Sequence, residues 1–259
     1  MHPIAFKLGP VAIHSYGVMV ALGFLAGLWT AGRRAQRDGV PPEKVIDLGP
    51  WLIIGAILGA RTLYVFSYWR DQFADQPLWE IVSVWHGGLV FYGGLIGASL
   101  ACILYVRAKH LRLWKMADIF APSIALGYVF GRIGCLLNGC CYGRACNLPW
   151  AIHFPADNPL HPPTTPVHPT QIYEALLNLG LYVVLAWLYR RKKFDGQIFA
   201  TYLVCYALLR SFVEMFRGDY PPRQYWGGWV TPAHLVSIGI LAAGALLFFI
   251  LRRPAQQPS

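Results

Sequence analysis

The sequence predicts an all-α polytopic membrane protein of about seven transmembrane helices, forming one membrane-embedded domain over residues 1–259. Three observations lead there. Hydrophobic residues make up 56% of the chain and charged ones only 13%, which is too apolar for an ordinary soluble domain. Stretches long enough to cross about 30 Å of hydrocarbon recur along the whole length. Basic residues gather after alternate stretches, as they do where the membrane sets the orientation.

The expected spans lie at roughly 11–31, 46–68, 88–106, 117–136, 171–190, 198–216 and 231–251. No positively charged segment precedes the first and no small-residue cleavage pattern ends it, so it is expected as a retained span. Between the fourth and fifth spans, about 138–170, prolines 149, 155, 159, 162, 163, 166 and 169 forbid a helix and predict an irregular or partly stranded arm. A short tail, about 252–259, follows the last span.

Charge orients this frame. Of 22 Lys and Arg, 14 follow alternate spans: Arg33, Arg34, Arg37, Lys44, Arg107, Lys109, Arg112, Lys115, Arg190, Arg191, Lys192, Lys193, Arg252 and Arg253. Five, Lys7, Arg70, Arg144, Arg217 and Arg223, fall on the other side. The positive-inside rule then puts the amino terminus outside, the carboxyl terminus in the cytoplasm and the arm on the periplasmic side of a bacterial cytoplasmic (inner) membrane. The net charge of +10 is explained by this split, and no basic stripe with interleaved aromatics suggests nucleic acid.

Three arginines remain, Arg61, Arg132 and Arg210, and all fall inside or at the edge of spans. A central arginine costs roughly 2.5 to 3.5 kcal/mol on insertion scales, so it is expected to face a cavity, a partner or a ligand. The orientation places all three in the outer halves of their helices, where they can converge on one site. Arg210, Glu214 and Arg217 have the spacing of one helical face, so Glu214 is expected to hold either arginine in position. His14, Ser15 and Tyr16, the segment from His86 to Gly94, and the segment from His168 to Glu174 open the inward-running spans at the same level. Bidentate arginine contacts suit phosphate, and phospholipid headgroups supply phosphate at this depth. The blander alternatives are snorkelling or a structural ion pair for each arginine, and helix packing for the glycines around Tyr92 and after Arg132.

Six cysteines do not form a disulfide framework here, since Cys102 and Cys205 fall within spans. Cys135, Cys140, Cys141 and Cys146 cluster near the end of the fourth span. Their spacing lacks the paired pattern of zinc sites, so free packed thiols are expected ahead of a disulfide through Cys146 or a metal.

Several blocks then carry a specific likeness. They are His14-Ser15-Tyr16-Gly17, Gly59-Ala60-Arg61, Gly87-Gly88-Leu89-Val90-Phe91-Tyr92-Gly93-Gly94, and Gly131-Arg132-Ile133-Gly134 with Asn138-Gly139 and Tyr142-Gly143-Arg144. Next come His168-Pro169-Thr170-Gln171-Ile172-Tyr173-Glu174 and Arg210-Ser211-Phe212-Val213-Glu214-Met215-Phe216-Arg217. From about residue 14 to residue 240 the chain resembles the prolipoprotein diacylglyceryl transferases. The resemblance implies transfer of the diacylglyceryl group of phosphatidylglycerol to the lipobox cysteine thiol beside a prolipoprotein signal peptide, giving a thioether and glycerol phosphate.

By that resemblance Arg132 and Arg210 bind phosphate and stabilise the leaving group, Tyr16 is a site residue, and Glu214 and Arg217 complete the cluster. Arg61, Asn138 and Gly143 join the phosphatidylglycerol-binding set, and no metal or organic cofactor is implied. The chain departs from the family's pattern at Tyr92, where many members carry a histidine proposed as the base, and at Cys135 and Cys140, which replace the commoner asparagine and glutamate. A phenol, with an ordinary pKa near 10, serves as a thiol base only beside arginines. The base is therefore left open among Tyr92, His14, His86, His168 and the phosphate itself. The rival functions are a diverged non-catalytic lipid-binding member of the family and a transporter of anionic lipid or solute, whose site belongs near the midplane between repeats.

Overall fold

The computed structural model describes residues 2–8, 11–74, 76–154, 165–218 and 230–252. Prolines 155, 159, 162 and 163, Arg223, Arg253 and the tail after it lie outside these, as does the side chain of His86.

Seven long helices dominate the described residues: α1 Ser15–Arg37, α2 Pro42–Ser67, α3 Phe91–Ala108, α4 Leu113–Asn138, α5 Thr170–Tyr189, α6 Gln197–Glu214 and α7 Pro232–Arg252. All but α6 are long and apolar enough to cross a membrane, and the chain is a multi-pass membrane protein. Large apolar side chains point outward along them, among them Leu25, Trp29, Phe66, Leu176 and Phe249. The helices start and stop where their chemistry requires. Pro42 and Pro232 open α2 and α7, where a missing N–H costs nothing, and Arg34 and Arg37 close α1 at the negative end of its dipole.

Two expectations need correction. The first apolar stretch is not helical from residue 11, because strands β1 Ile4–Leu8 and β2 Val11–His14 pair antiparallel ahead of α1. The β-branched residues of Val11-Ala12-Ile13 suit an extended backbone, so a short hairpin precedes the helices. The sixth helix ends at Glu214 rather than near 216, which takes Arg217 off the helical face assigned to it. Its backbone instead bridges Gly143, and Nε of Arg144 donates to its carbonyl oxygen at 2.7 Å.

The chain forms two compact units, one of residues 1–31 with 117–259 and one of residues 32–116. In the smaller unit α2 and α3 approach backbone to backbone. A methyl group added at Gly59 would lie 2.3 Å from the carbonyl oxygen of Gly93, and one at Gly97 would lie 2.1 Å from that of Gly55. Only hydrogen fits there, the small-residue contact that membrane helices use to pack closely. In the larger unit Asp118, fully buried on α4, accepts the backbone N–H groups of Gly196, Ile198 and Phe199 at 2.9 to 3.0 Å. A carboxylate from one helix thus caps the amino end of another, satisfying donors that α6 cannot satisfy itself.

Candidate active site

Glu174, buried on the second turn of α5, is the centre of a charged cluster in the larger unit. From α4, Nε of Arg132 pairs with its Oε2, and Tyr128 one turn earlier donates its hydroxyl to the same oxygen at 2.8 Å. Arg132 also donates Nη2–H to the Tyr128 hydroxyl at 2.6 Å and lies over its ring. From α6, Nη1 of Arg210 lies 3.8 Å from Oε1 of Glu174 and 2.5 Å from Oε2 of Glu214. Nη1 of Arg217 approaches Oε1 of Glu174 at 3.8 Å. Thr231 donates its hydroxyl to Glu214 at 2.7 Å and is itself held against Nδ1 of His234.

Three guanidinium groups thus share two carboxylates, an excess of one positive charge within these pairs. Among the described residues, Oε1 of Glu174, Oε2 of Glu214 and Nη1 of Arg210 are buried without hydrogen-bond geometry to any partner, so their ion pairs are contacts of charge alone. An under-used buried donor inside a net positive cluster has the chemistry to take an anion.

A turn of cysteines adjoins it. α4 ends at Asn138, and Gly139 and Cys141 both take positive φ, +76° and +64°, folding the chain back on the helix end. The first turn of α5 fixes this loop: Thr170 donates to the carbonyl oxygen of Cys141 at 2.8 Å and Gln171 to that of Cys140 at 2.7 Å. The Sγ atoms of Cys135, Cys140 and Cys141 lie within 4.8 Å of one another. All six cysteines are free thiols, which corrects the alternative of a disulfide through Cys146. Hydrogen bonds from Cys135 and Cys140, with Arg132 and Arg217 nearby, hold the Cys141 thiol below its ordinary pKa.

The other expected site residues divide between the units. Tyr16 opens α1 with its ring against Gly134, within electrostatic reach of the three thiols and Arg132. His168 contacts Tyr173 and Phe216, with Nδ1 3.2 Å from the Tyr173 hydroxyl. Gly143 donates its N–H to the His168 carbonyl at 2.9 Å, and a side chain there would strike the Phe216 backbone at 2.5 Å. His14 is exposed at the end of β2. In the smaller unit Tyr92 is 60% exposed at the start of α3, edge-on to Phe91. Arg61 there spends four of its five N–H groups on carbonyl oxygens: Ile81 at 2.8 Å, Gly87 at 2.7 Å, Gly88 at 3.2 Å and Glu80 at 2.5 Å.

Sequence reasoning missed Glu174, Tyr128, Thr231 and His234 as members of the cluster. Two carried a signal: Glu174 is an acid within an apolar span, and Tyr128 stands four residues before Arg132, on its helical face.

Fold and cluster together define a multi-pass membrane protein with an anion-ready arginine site buried among its helices. Comparison with known proteins makes this specific. The family model described as prolipoprotein diacylglyceryl transferase matches residues 3–250, and the chain belongs to that family. A phosphatidylglycerol–prolipoprotein diacylglyceryl transferase of Nitratidesulfovibrio vulgaris is 36% identical over 99% of this chain and 96% of its own length. Proteins of the same name from Finegoldia magna and Synechococcus elongatus are also 36% identical, over 95% and 94% of this chain and 94% and 85% of theirs.

Proposed function

We propose that this protein is a transferase that moves the diacylglyceryl group of phosphatidylglycerol to the lipobox cysteine thiol of prolipoproteins, forming a thioether and releasing glycerol phosphate. The observation that carries the reading is the excess positive charge around Glu174, in a family whose relatives are named for this reaction. Phosphatidylglycerol brings one negative charge, which the guanidinium groups of Arg132 and Arg210 attract. As the carbon–oxygen bond breaks, charge grows on the departing phosphate, and arginines already in place stabilise it without reorganisation.

Arg132 and Arg210 are the phosphate ligands in this reading, with Arg217 completing the ring and Glu174 and Glu214 setting its geometry. Tyr16 lines the site, and Asn138 and Gly143 shape the turn beneath it. His168 braces the arm, and Tyr92 and His86 remain candidates for receiving the acceptor's proton in this reading. Arg61 acts as a clamp, because its donors hold the segment that leads from α2 to Tyr92. Seven spans, an external amino terminus, a cytoplasmic carboxyl terminus and a cytoplasmic-membrane location follow from the charge asymmetry.

The deciding experiment gives the purified protein labelled phosphatidylglycerol and a lipobox peptide. Thioether product and stoichiometric glycerol phosphate are expected. Phosphatidylglycerol binding without product would leave only a lipid-binding role. Cysteine labelling from each side of the membrane checks the orientation: residue 144 should react from outside and residue 111 from inside.

A further inference from the structure

We infer that Cys135, Cys140 and Cys141 form a three-thiolate zinc site whose open fourth position takes the acceptor thiol of the prolipoprotein. The inference rests on the transferase reading for the identity of that acceptor, but the metal site stands on its own geometry. Three sulfurs, that of Cys135 on the last turn of α4 and those of Cys140 and Cys141 on the loop that follows, lie within 4.8 Å of one another, and the first turn of α5 fixes the loop. Tetrahedral zinc with Zn–S bonds of about 2.3 Å needs sulfurs about 3.8 Å apart, a separation that small side-chain rotations provide. The unusual backbone supports the site. Cys141 takes a left-handed conformation that a non-glycine residue rarely adopts, and it brings adjacent cysteines to the same side of the turn.

Zinc fits this donor set better than a hard cation, since thiolate ligands select zinc and other soft metals. Three protein ligands with a fourth position left over are the pattern of reactive rather than purely structural zinc. Three thiolates and Zn²⁺ sum to one negative charge, and Arg132 and Arg217 lie within electrostatic range to offset it.

The reaction gives the open position a purpose. A thiol attacks carbon only after losing its proton, and the carboxylates of the neighbouring cluster are both committed to arginines. A thiol bound to zinc is deprotonated outright, yet its sulfur keeps a lone pair for attack. That sulfur forms the S–C bond to the diacylglyceryl carbon while the C–O bond to phosphate breaks. The displaced proton leaves on glycerol phosphate, and the neutral thioether dissociates from the metal. No electrons change hands.

The test uses the full-length protein in detergent. Roughly one zinc per chain is expected by elemental analysis, lost in Cys135→Ser, Cys140→Ser and Cys141→Ser and kept in Cys146→Ser. Cobalt substituted for zinc should show strong thiolate-to-metal absorption, which a lipobox peptide with its cysteine shifts and the serine peptide does not. Should the serine variants aggregate, alkylation of the unmutated protein decides instead. Zinc should protect Cys135, Cys140 and Cys141 but not Cys146, and a chelator should remove the protection. Absence of stoichiometric zinc, copper in its place, or a cobalt spectrum indifferent to the cysteine peptide overturns the inference. Transfer assayed in parallel separates the two readings. Full turnover by metal-free protein ends the metal's role and leaves the transferase, whereas a peptide-responsive zinc site without transfer ends the transferase reading alone.

Discussion

Arg61 and Arg132 are both arginines inside apolar helices, and they solve the cost of that position in opposite ways. Arg61 is surrounded by neutral carbonyl oxygens and by the rings of Tyr64 and Phe73, so its donors are spent on the fold. Arg132 shares a carboxylate with Arg210 and Arg217, so charge remains in excess where it stands. An intramembrane arginine therefore marks function less surely than the kind of group that answers it. Carbonyls make it a brace, whereas too few carboxylates leave it with charge that an anion could answer.

The largest expected effect tests the second half of that contrast. Arg132→Ala and Arg210→Ala should each lower turnover by about 100- to 1,000-fold, the scale of removing one preorganised donor from a developing anion. Both should yield membrane-inserted protein by gel filtration, and lysine should rescue poorly because it lacks the bidentate fork. Near-normal turnover in either alanine variant would strip that residue of its phosphate role.

Glu174→Gln probes the balance itself. Removing the shared carboxylate leaves three guanidinium groups together, and the cost is about 3–5 kcal/mol, read as a fall in melting temperature that added phosphatidylglycerol partly restores. Arg61→Ala tests the brace. Stability should fall by about 1–3 kcal/mol from orphaned buried carbonyls, while KM for phosphatidylglycerol stays the same. A large rise in KM with unchanged stability would move Arg61 into the binding site.

The smallest effect is expected at Tyr92. With its ring exposed and its neighbour Phe91 supplying the packing, Tyr92→Phe should cost less than the roughly 100-fold that loss of a general base brings. A greater loss with lipid binding intact would return the proton to the phenol.

Much of the frame was legible because apolar runs of membrane length leave few alternatives, and each long helix overlaps a stretch expected from hydropathy. The misses have local causes. Residues 11–14 are apolar enough to pass for the start of a span, but hydropathy does not register the strand pairing that claims them. Arg217 fitted a helical spacing, yet its backbone bridges Gly143, a pairing between residues far apart in sequence. Arg132, Arg210 and Glu174 could all be flagged as costly inside apolar spans, but the sequence gave no sign that Glu174 faces the two arginines. The cysteine cluster was legible from spacing, but the approach of three of its sulfurs to within 4.8 Å of one another was not. Spacing rules do not register the left-handed backbone of Cys141, which folds the chain back on the end of α4.

The cap that Asp118 places on α6 bears on how the protein is made. α6 carries Arg210 and Glu214, which pair with each other, is not among the helices apolar enough to cross alone, and takes its amino-end cap from Asp118 and a second carboxylate near Arg210 from Glu174. Both partners lie earlier in the chain, on α4 and α5, so they are already synthesised when α6 emerges. Order of synthesis would thereby become order of assembly, with α6 docking on helices that precede it. An insertion reporter should record poor entry of α6 alone and efficient entry behind α4 and α5, with Asp118→Ala and Glu174→Ala together abolishing the gain.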